Sequence, residues 1–155
     1  MSATHLDRML HPKSVAVIGA SERKGSVGTA VMENLCLSGF SGEIFPVNPH
    51  RRSVQGKAAF PSLGKIGRPV DLMVIATPIA TVSDIVAQGI VAGAGGAVII
   101  SAGGKEIGAK GREIEAAIKR QVAGSDFRYR FPDAIDCLDH VFCSYPNVHM
   151  GPPCR

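Results

Sequence analysis

A glycine-rich loop follows the first apolar run of the sequence and has the composition of a phosphate-binding turn. The run SVAVIGA (14–20) leads into SERKGSVG, and an amphipathic segment begins near Val27. Backbone amides at the start of that predicted helix, together with the positive end of its dipole, would attract a phosphate. Ser21 and Ser26 offer hydroxyl donors beside them, and Lys24 offers a positive charge. The stretch predicts a site for a pyrophosphate-bearing nucleotide such as NAD, ATP or coenzyme A.

The glycine spacing in this loop differs from that of two common nucleotide-binding motifs. Gly19 and Gly25 lie six positions apart, whereas the dinucleotide fingerprint G-x-G-x-x-G places its first two glycines two apart. No Gly-Lys-Ser/Thr follows the glycines, so the loop is not a Walker A motif either. Gly28 opens the predicted helix, where the missing side chain would let a ligand approach the backbone. The loop alone does not select a nucleotide.

Three further apolar runs indicate a parallel sheet. Val70–Pro78 and Gly95–Gly104 do not alternate between polar and apolar residues, which is typical of strands buried on both faces, and Glu43–Pro49 is a weaker run. Residues with helical spacing lie between the runs: Val27, Val31 and Leu35, then Val82, Ile85, Val86 and Ile90, then Ile114, Ala117, Ile118 and Val122. This order predicts an α/β fold, a doubly wound, mainly parallel Rossmann-like sheet with helices on both faces.

Local signals also predict where some of the helices begin and end. Thr77 is expected to be the N-cap of the helix after the Val70–Pro78 run, with Pro78 at its first helical position. Gly39 is expected to end the preceding helix in a left-handed conformation. A short helix is expected at Leu6–Leu10, before the first strand.

The residues after the second predicted strand narrow the choice of nucleotide. Open α/β sheets bind ligands at the carboxyl ends of their strands, and an NAD-binding protein normally has Asp or Glu at the end of the second strand for the ribose hydroxyls. This chain has Val47-Asn48-Pro49 there, followed by the basic stretch His50-Arg51-Arg52. The missing carboxylate and the positive charge favour a nucleotide with an extra phosphate on its adenosine ribose. NADP and coenzyme A both meet that description.

Four sequence blocks, in this order, identify a family by their combination. They are HPKSVAVIGASERKGSVG, GFSGEIFPVNP, VDLMVIATP and GAVIISAGGKE, and together they extend over Leu10 to Val122. This part of the chain resembles the N-terminal CoA-binding domain of NDP-forming acyl-CoA synthetases. The group includes the ADP-forming acetyl-CoA synthetases and is related to the succinyl-CoA synthetase α subunit. Similar domains lie at the N-terminus of protein-lysine acetyltransferases that carry a fused synthetase-like region.

The resemblance implies coenzyme A or acyl-CoA as the ligand and distributes its parts over the strand ends. The diphosphate would lie along the loop 19–28, and Arg51 would pair with the 3′-phosphate. Residues 48–49 would border the adenosine, residues 76–78 would flank the adenine and the start of the pantetheine, and residues 101–103 would line the pantetheine arm. The implied ligand-binding residues are Gly19, Ser21, Lys24, Gly25, Ser26, Val27, Gly28, Asn48, Pro49, Arg51, Ala76, Thr77, Pro78, Ser101, Ala102 and Gly103.

The end of the chain departs from the family pattern. The CoA-binding Rossmann-like domain is expected over residues 1–126, followed by an atypical, irregular tail over residues 127–155 in which FRYRF could form a last strand. Family members continue with a Gly-Pro-Asn-Cys turn, a ligase domain carrying the phosphorylated His, and an ATP-binding domain, whereas this tail reads FRYRFPDAIDCLDH. We therefore expect a fragment or subunit of a synthetase-like protein, or a product whose reading frame diverges after about Asp126. Because of this departure, no acid–CoA ligase (ADP-forming) activity is expected from the chain alone.

Two other functional classes stay open beside this one. An NADP-dependent oxidoreductase would use the same strand ends, although the sequence contains no recognisable proton donor or substrate domain for it. A regulatory subunit could use bound CoA or acyl-CoA to switch a partner. The expected partners of a CoA-binding subunit are an ATP-binding β-type subunit or a second copy of the chain.

Composition argues against several other classes. Aromatic residues make up 5% of the 155 residues and Trp is absent, so a stacking surface for single-stranded nucleic acid is not expected. The net charge of +4 comes from scattered Lys and Arg rather than from one basic element, so no nucleic-acid partner is expected. The sequence has neither a secretory signal nor an apolar run of about 20 residues that would span a membrane. A cytoplasmic location with reduced thiols is therefore expected.

The tail contains several candidate metal ligands with an unfavourable spacing. These are Cys137, His140, Cys143, His149 and Cys154. Zinc sites usually show tighter Cys-x2–4-Cys or His-x3–5-His pairs, so no metal is expected. A redox pair of Cys137 and Cys143 has no supporting basic or helix-terminal context. None of the histidines matches a catalytic position of the family, and no catalytic residue is predicted.

Overall fold

The strands form one parallel sheet with a small hairpin beside it. The computed structural model describes residues 3–100 and 108–131. The elements follow in the order α1 (Ala3–Leu10), β1 (Ser14–Ile18), α2 (Val27–Leu37), β2 (Glu43–Val47), β3 (Ser53–Val54), β4 (Lys57–Ala58), a 3-10 helix (Leu63–Ile66), β5 (Leu72–Ile75), α3 (Ile79–Val91), β6 (Gly96–Ile99), α4 (Ala109–Val122) and β7 (Arg128–Arg130). Strands β3 and β4 pair antiparallel, and the other five are parallel in the order β2-β1-β5-β6-β7.

The central strands are buried on both faces because helices cover both sides of the sheet. Every residue of β1, β5 and β6 is buried. Side chains of a strand point alternately to opposite faces. Ala16 and Ile18 join the core cluster beneath α3 and α4. Val15 and Val17 join the second cluster, beneath α2. The predicted doubly wound sheet with helices on both faces is confirmed.

The strand order reverses at β1, which creates a topological switch point in the sheet. Helix α2 carries the chain from β1 to β2 on one side, and β5 then pairs with the other side of β1. The loops that follow β1 and β5 therefore diverge at the carboxyl edge of the sheet. In open α/β sheets, this switch point is the crevice in which ligands bind.

The helix ends agree with the sequence at one position and differ at another. Gly39 follows the end of α2 with φ +74, the left-handed conformation expected there. Helix α3 begins at Ile79 with Pro78 as its N-cap, so the prediction of Thr77 as N-cap and Pro78 as the first helical residue is wrong by one residue. The physical reason is that ψ of Pro78 is 142°, an extended value, which keeps this residue outside the helix.

The FRYRF stretch provides the last strand within the described residues. Strand β7 pairs in parallel with β6, with Arg128 opposite Gly96. Phe127, directly before β7, is buried in the cluster beneath α3 and α4. The sheet therefore includes residues beyond 126, the position at which the domain was expected to end. The remainder of the predicted tail, residues 132–155, lies outside the described residues.

An ion pair holds α1 against the amino edge of the sheet. Arg8 donates through Nε to Asp71 Oδ1 at 2.7 Å and through Nη2 to the Val70 carbonyl at 3.0 Å. The other Asp71 oxygen accepts the Lys13 backbone N–H at 2.9 Å. Burial raises the pKa of Asp71, but the hydrogen bonds from Arg8 and Lys13 outweigh burial and hold the pKa below its ordinary value. The charged carboxylate therefore links the first helix to the start of β5.

We expect Asp71→Asn to lower the free energy of unfolding by about 1–3 kcal/mol at pH 7, because an amide offers one acceptor oxygen where the carboxylate offers two. The folded-state pKa lies below the ordinary value of 3.8. The stabilisation is therefore present above pH 3.8 and is lost as the pH falls through the folded-state pKa. Urea unfolding of the two proteins at pH 7 and pH 3 measures this, and the difference should narrow at pH 3.

Asp7→Asn is the matched control for this experiment. Asp7 also lies on α1, but its side chain is 75% exposed and pairs with His11 at 3.2 Å. Exposed pairs of this kind contribute little to stability, so the control should unfold like the original protein at both pH values. A stability difference for Asp71→Asn that is the same at both pH values would contradict a role for the carboxylate charge.

Candidate functional site

Three connections meet at the carboxyl edge of the sheet. They follow β1 (19–26), β2 (48–52) and β5 (76–78). Because these strands are parallel neighbours, their connections begin side by side. All the implied ligand-binding residues before α3 therefore lie on this edge or at the adjoining start of α2.

Backbone hydrogen bonds join the three connections where they leave the sheet. The Gly19 N–H donates to the Val47 carbonyl at 3.0 Å. The Ala76 N–H donates to the Ile18 carbonyl at 2.8 Å. These bonds extend the β1–β2 and β1–β5 ladders by one step, so the floor of the crevice is continuous with the sheet.

Asn48 fastens the second connection to the first. Its Nδ2 donates to the Ala20 carbonyl at 2.8 Å, and its Oδ1 accepts the His50 backbone N–H at 2.8 Å. Its own backbone N–H donates to the Phe60 carbonyl at 2.9 Å. The side chain therefore has a fixed orientation and positions the basic residues that follow it.

The three glycines of the first loop are needed for different structural reasons. Gly19 has φ +85, and a Cβ there would lie 2.8 Å from the Ala76 carbonyl oxygen, so only glycine fits where the loops after β1 and β5 touch. A Cβ on Gly28 would lie 2.0 Å from the Gly19 carbonyl oxygen. Gly28 thus permits close packing of α2 on the loop itself. Gly25 has φ +79 with open space around it and forms a turn.

Thr29 ties the loop to the first turn of α2. Its side chain is buried, and its Oγ1 shares its one proton between the Ser21 carbonyl at 3.0 Å and the Arg23 carbonyl at 2.8 Å. Ser26 Oγ lies 2.8 Å from Thr29 Oγ1, and because the Thr29 proton is used for the carbonyls, Ser26 is the donor in this pair. Ser26 Oγ also accepts the Thr29 backbone N–H at 3.2 Å as the N-cap of α2.

The apex of the loop is open to solvent. Lys24 and Gly25 are exposed, and Val27 is 40% exposed at the start of α2. A cleft of ≈ 510 Å³ runs along residues 24–27 and is bordered by acidic residues, Glu22 and Glu33. A larger cavity of ≈ 680 Å³ lies at the opposite edge, between the 3-10 helix and the end of α3, away from the implied ligand-binding residues.

Arg51 is engaged by a carboxylate from the first loop. Its Nη1 lies 3.3 Å from Glu22 Oε2, and both side chains are about half exposed. The other Glu22 oxygen accepts the Gln55 backbone N–H at 2.8 Å. Glu22 therefore links the first loop to the region after β2, in addition to the link that Asn48 makes.

Comparison with known proteins identifies the family. A family model described as a CoA binding domain matches residues 13–127. The chain belongs to the CoA-binding domain family. The predicted resemblance is confirmed, and the match supports the coenzyme A interpretation rather than the NADP-dependent oxidoreductase.

The relatives of this CoA-binding domain are considerably longer proteins. The chain is 43% identical over 110 residues to acetate–CoA ligase (ADP-forming) I of Archaeoglobus fulgidus, covering 71% of this chain and 16% of that protein. It is 36% identical over 114 residues to the alpha subunit of acetate–CoA ligase (ADP-forming) I of Pyrococcus furiosus, covering 71% and 25%. The chain thus spans a quarter or less of these relatives.

A solved structure shows the same fold. It is the dinucleotide-forming acetyl-coenzyme A synthetase 1 of Candidatus Korarchaeum cryptofilum in complex with phosphate and ADP. The TM-score is 0.76 at 31% identity, covering 82% of this chain and 27% of that one. The CoA-binding domain therefore resembles the N-terminal part of ADP-forming acyl-CoA synthetases in both sequence and structure.

Sequence reasoning missed several residues that shape the site in this CoA-binding domain. Thr29, Glu22 and Gln55 were not singled out. A signal for Thr29 was present, since Ser26 and Thr29 stand three positions apart at a helix start, as the two partners of a capping box do. The contacts of Glu22 and Gln55 depend on how two loops approach each other, so no local sequence pattern predicts them.

Other predicted residues lie outside the described part of the chain. These are Ser101, Ala102 and Gly103 of the expected pantetheine contact and the tail residues Cys137, His140, Cys143, His149 and Cys154. Within residues 3–100 and 108–131, no group of three or more His, Cys, Asp or Glu side chains could hold a metal ion. None of the helices in these two ranges is long and apolar enough to cross a membrane.

We expect Thr29→Val to lower the free energy of unfolding by about 1–3 kcal/mol, because the Ser21 and Arg23 carbonyls lose their donor while the side-chain volume is retained. The loop 20–26 should then exchange its amide hydrogens faster. Urea unfolding and hydrogen–deuterium exchange measure the two effects. Thr29→Ser keeps the hydroxyl and is the matched control. Equal exchange in the valine and serine variants would contradict the role assigned to the hydroxyl.

Proposed function

We propose that this domain binds coenzyme A or acyl-CoA in an extended form along the carboxyl edge of the sheet. The observation that carries the proposal is the switch-point crevice between the loops after β1 and β5, in a chain of the CoA-binding domain family. The loop after β1 supplies a helix start, the region after β2 supplies positive charge, and the connection after β5 supplies small side chains. Those are the groups that a diphosphate, a ribose phosphate and a pantetheine arm require.

The diphosphate is assigned to the start of α2. The Thr29 amide is capped by Ser26 Oγ, and the Ala30 amide donates to the Ser26 carbonyl at 3.1 Å. The Val27 and Gly28 amides precede them in the first turn and, with the helix dipole, favour an anion. Lys24 adds a positive charge from the exposed apex of the loop. The bonds of Thr29 hold this loop in place before the ligand arrives.

The adenosine end of the ligand is assigned to the segment after β2. Asn48 holds the backbone of this segment through its bonds to Ala20 and His50. Arg51 follows and is exposed enough to turn toward a phosphate on the ribose. The second strand ends without the carboxylate that an NAD site would place against ribose hydroxyls.

The thiol end of the ligand is assigned to residues 76–78 and, beyond them, to residues 101–103. Ala76 and Thr77 are half-buried beside Gly19. The contact between Gly19 and Ala76 forms one narrow side of the crevice. No catalytic residue is assigned on this chain. We propose that the domain positions the CoA thiol for acyl transfer chemistry carried by another domain or subunit.

Isothermal titration calorimetry against CoA, NADPH, NADH and ATP tests the proposed ligand. We expect saturable binding of CoA and weaker or no binding of the other three. Lys24→Gln should weaken the affinity for CoA by about twofold to fivefold and reduce its dependence on salt, as expected for loss of one exposed charge. Lys65→Gln, an exposed lysine of the 3-10 helix, is the matched control and should bind CoA like the original protein.

The opposite results would reject the assignment. Saturable binding of NADPH without binding of CoA would favour the oxidoreductase class. Equal loss of CoA affinity in both lysine variants would indicate a general charge effect rather than a contact at the loop.

We further propose an ATP-binding β-type subunit as the partner, because one relative is the alpha subunit of an ADP-forming ligase. Affinity purification of the tagged chain from its natural host, followed by mass spectrometry, is expected to recover such a subunit in stoichiometric amount. Recovery of the chain only as copies of itself would contradict this pairing and would favour a homo-oligomer.

A further inference from the structure

Glu22 occupies groups that an anion would otherwise use. Its Oε2 lies 3.3 Å from Arg51 Nη1, and its Oε1 accepts the Gln55 backbone N–H at 2.8 Å. A guanidinium and a backbone amide together are typical donors for a phosphate or carboxylate. Glu22 belongs to the loop after β1, whereas both donors belong to the region after β2. The Glu22 carboxylate thus holds the position that an anion bound to these two donors would take.

The amide that holds Glu22 has a fixed position. Gln55 has φ +50 and Gly56 has φ +75, and the two residues form the tight turn between β3 and β4, where Val54 pairs with Lys57. Val54 is fully buried in the cluster beneath α2, which anchors the hairpin to the core. The carboxylate is therefore held beside Arg51 by a rigid backbone donor.

Arg51 can exchange its ion-pair partner for another anion. The side chain of Arg51 is 52% exposed and that of Glu22 is 41% exposed. Ion pairs with such exposure contribute little to stability, so a ribose phosphate with two negative charges can displace the carboxylate. The displaced carboxylate stays near the bound phosphate, because Gln55 still holds its other oxygen, and like charges repel.

We propose that Glu22 is a specificity-determining residue that sets how strongly the domain favours a ligand carrying a ribose 3′-phosphate. It pairs with Arg51, and when a phosphate takes its place it stays close enough to repel that phosphate. Glu22 thereby lowers the affinity for CoA relative to dephospho-CoA, which lacks this phosphate. The inference rests on the proposed function, because it assigns Arg51 to the adenosine end of CoA.

Titration of CoA and dephospho-CoA into Glu22→Gln separates this role from a structural one. Glutamine retains the oxygen that accepts the Gln55 N–H but removes the charge. We expect Glu22→Gln to tighten CoA binding by about threefold to tenfold, because both the competing ion pair and the repulsion are lost. Binding of dephospho-CoA should stay unchanged, because this ligand lacks the phosphate. Arg51→Gln should weaken CoA binding to the level of dephospho-CoA or below it, because the repulsion from Glu22 remains, and the double variant should recover the part of the CoA affinity that this repulsion costs.

Glu33→Gln is the matched control, because Glu33 is an exposed acid of α2 that borders the same cleft without an ion pair to Arg51. It should leave the ratio of the two affinities unchanged. The inference is overturned if Glu22→Gln changes both affinities equally, changes neither, or changes them no more than Glu33→Gln does. Absence of binding of both ligands to the original protein would instead overturn the proposed function and this inference with it.

Discussion

The close packing of α2 on the end of β1 determines where every other part of the site lies. At Gly28 the helix backbone approaches the Gly19 carbonyl so closely that a Cβ would lie 2.0 Å from that oxygen. Any side chain would force the helix and loop apart. With glycine in place, the positive end of the α2 dipole stands directly at the switch point of the sheet. The residue that seemed selected for a ligand's approach is thus required by the protein's own backbone.

This packing also explains why the loop is held from within. Once α2 lies against Gly19, Thr29 in its first turn faces the loop and can bond to the Ser21 and Arg23 carbonyls. Asn48 fastens the same loop from the side of β2 through Ala20. A loop that is ordered before binding loses less conformational entropy when a ligand docks. Two short-range bonds from Thr29 and one long-range bond from Asn48 therefore order the same loop.

Much of the fold could be predicted because it depends on the local pattern of apolar residues. Parts of the site could not be predicted, because they depend on which loops come close to each other in the folded protein. The apolar runs at 14–20 and 70–78 predict buried parallel strands, and parallel strands place their carboxyl ends on one edge. Glu22 and Arg51 are polar residues in separate loops, and only the folded backbone brings them to 3.3 Å. The N-cap prediction failed at Pro78, since a Thr-Pro pair permits an extended proline as readily as a helical one.

The two edges of the sheet use ion pairs of different exposure for different purposes. At the amino edge, Asp71 is partly buried and accepts from both Arg8 and Lys13, and these hydrogen bonds hold its pKa below the ordinary value. Losing the carboxylate charge therefore removes several favourable contacts at once. At the carboxyl edge, the pair of Glu22 and Arg51 is half exposed, so water can replace either partner at small cost and another anion can replace the carboxylate. Partial burial and several partners thus make the first pair the more lasting link, and exposure makes the second pair easier to exchange.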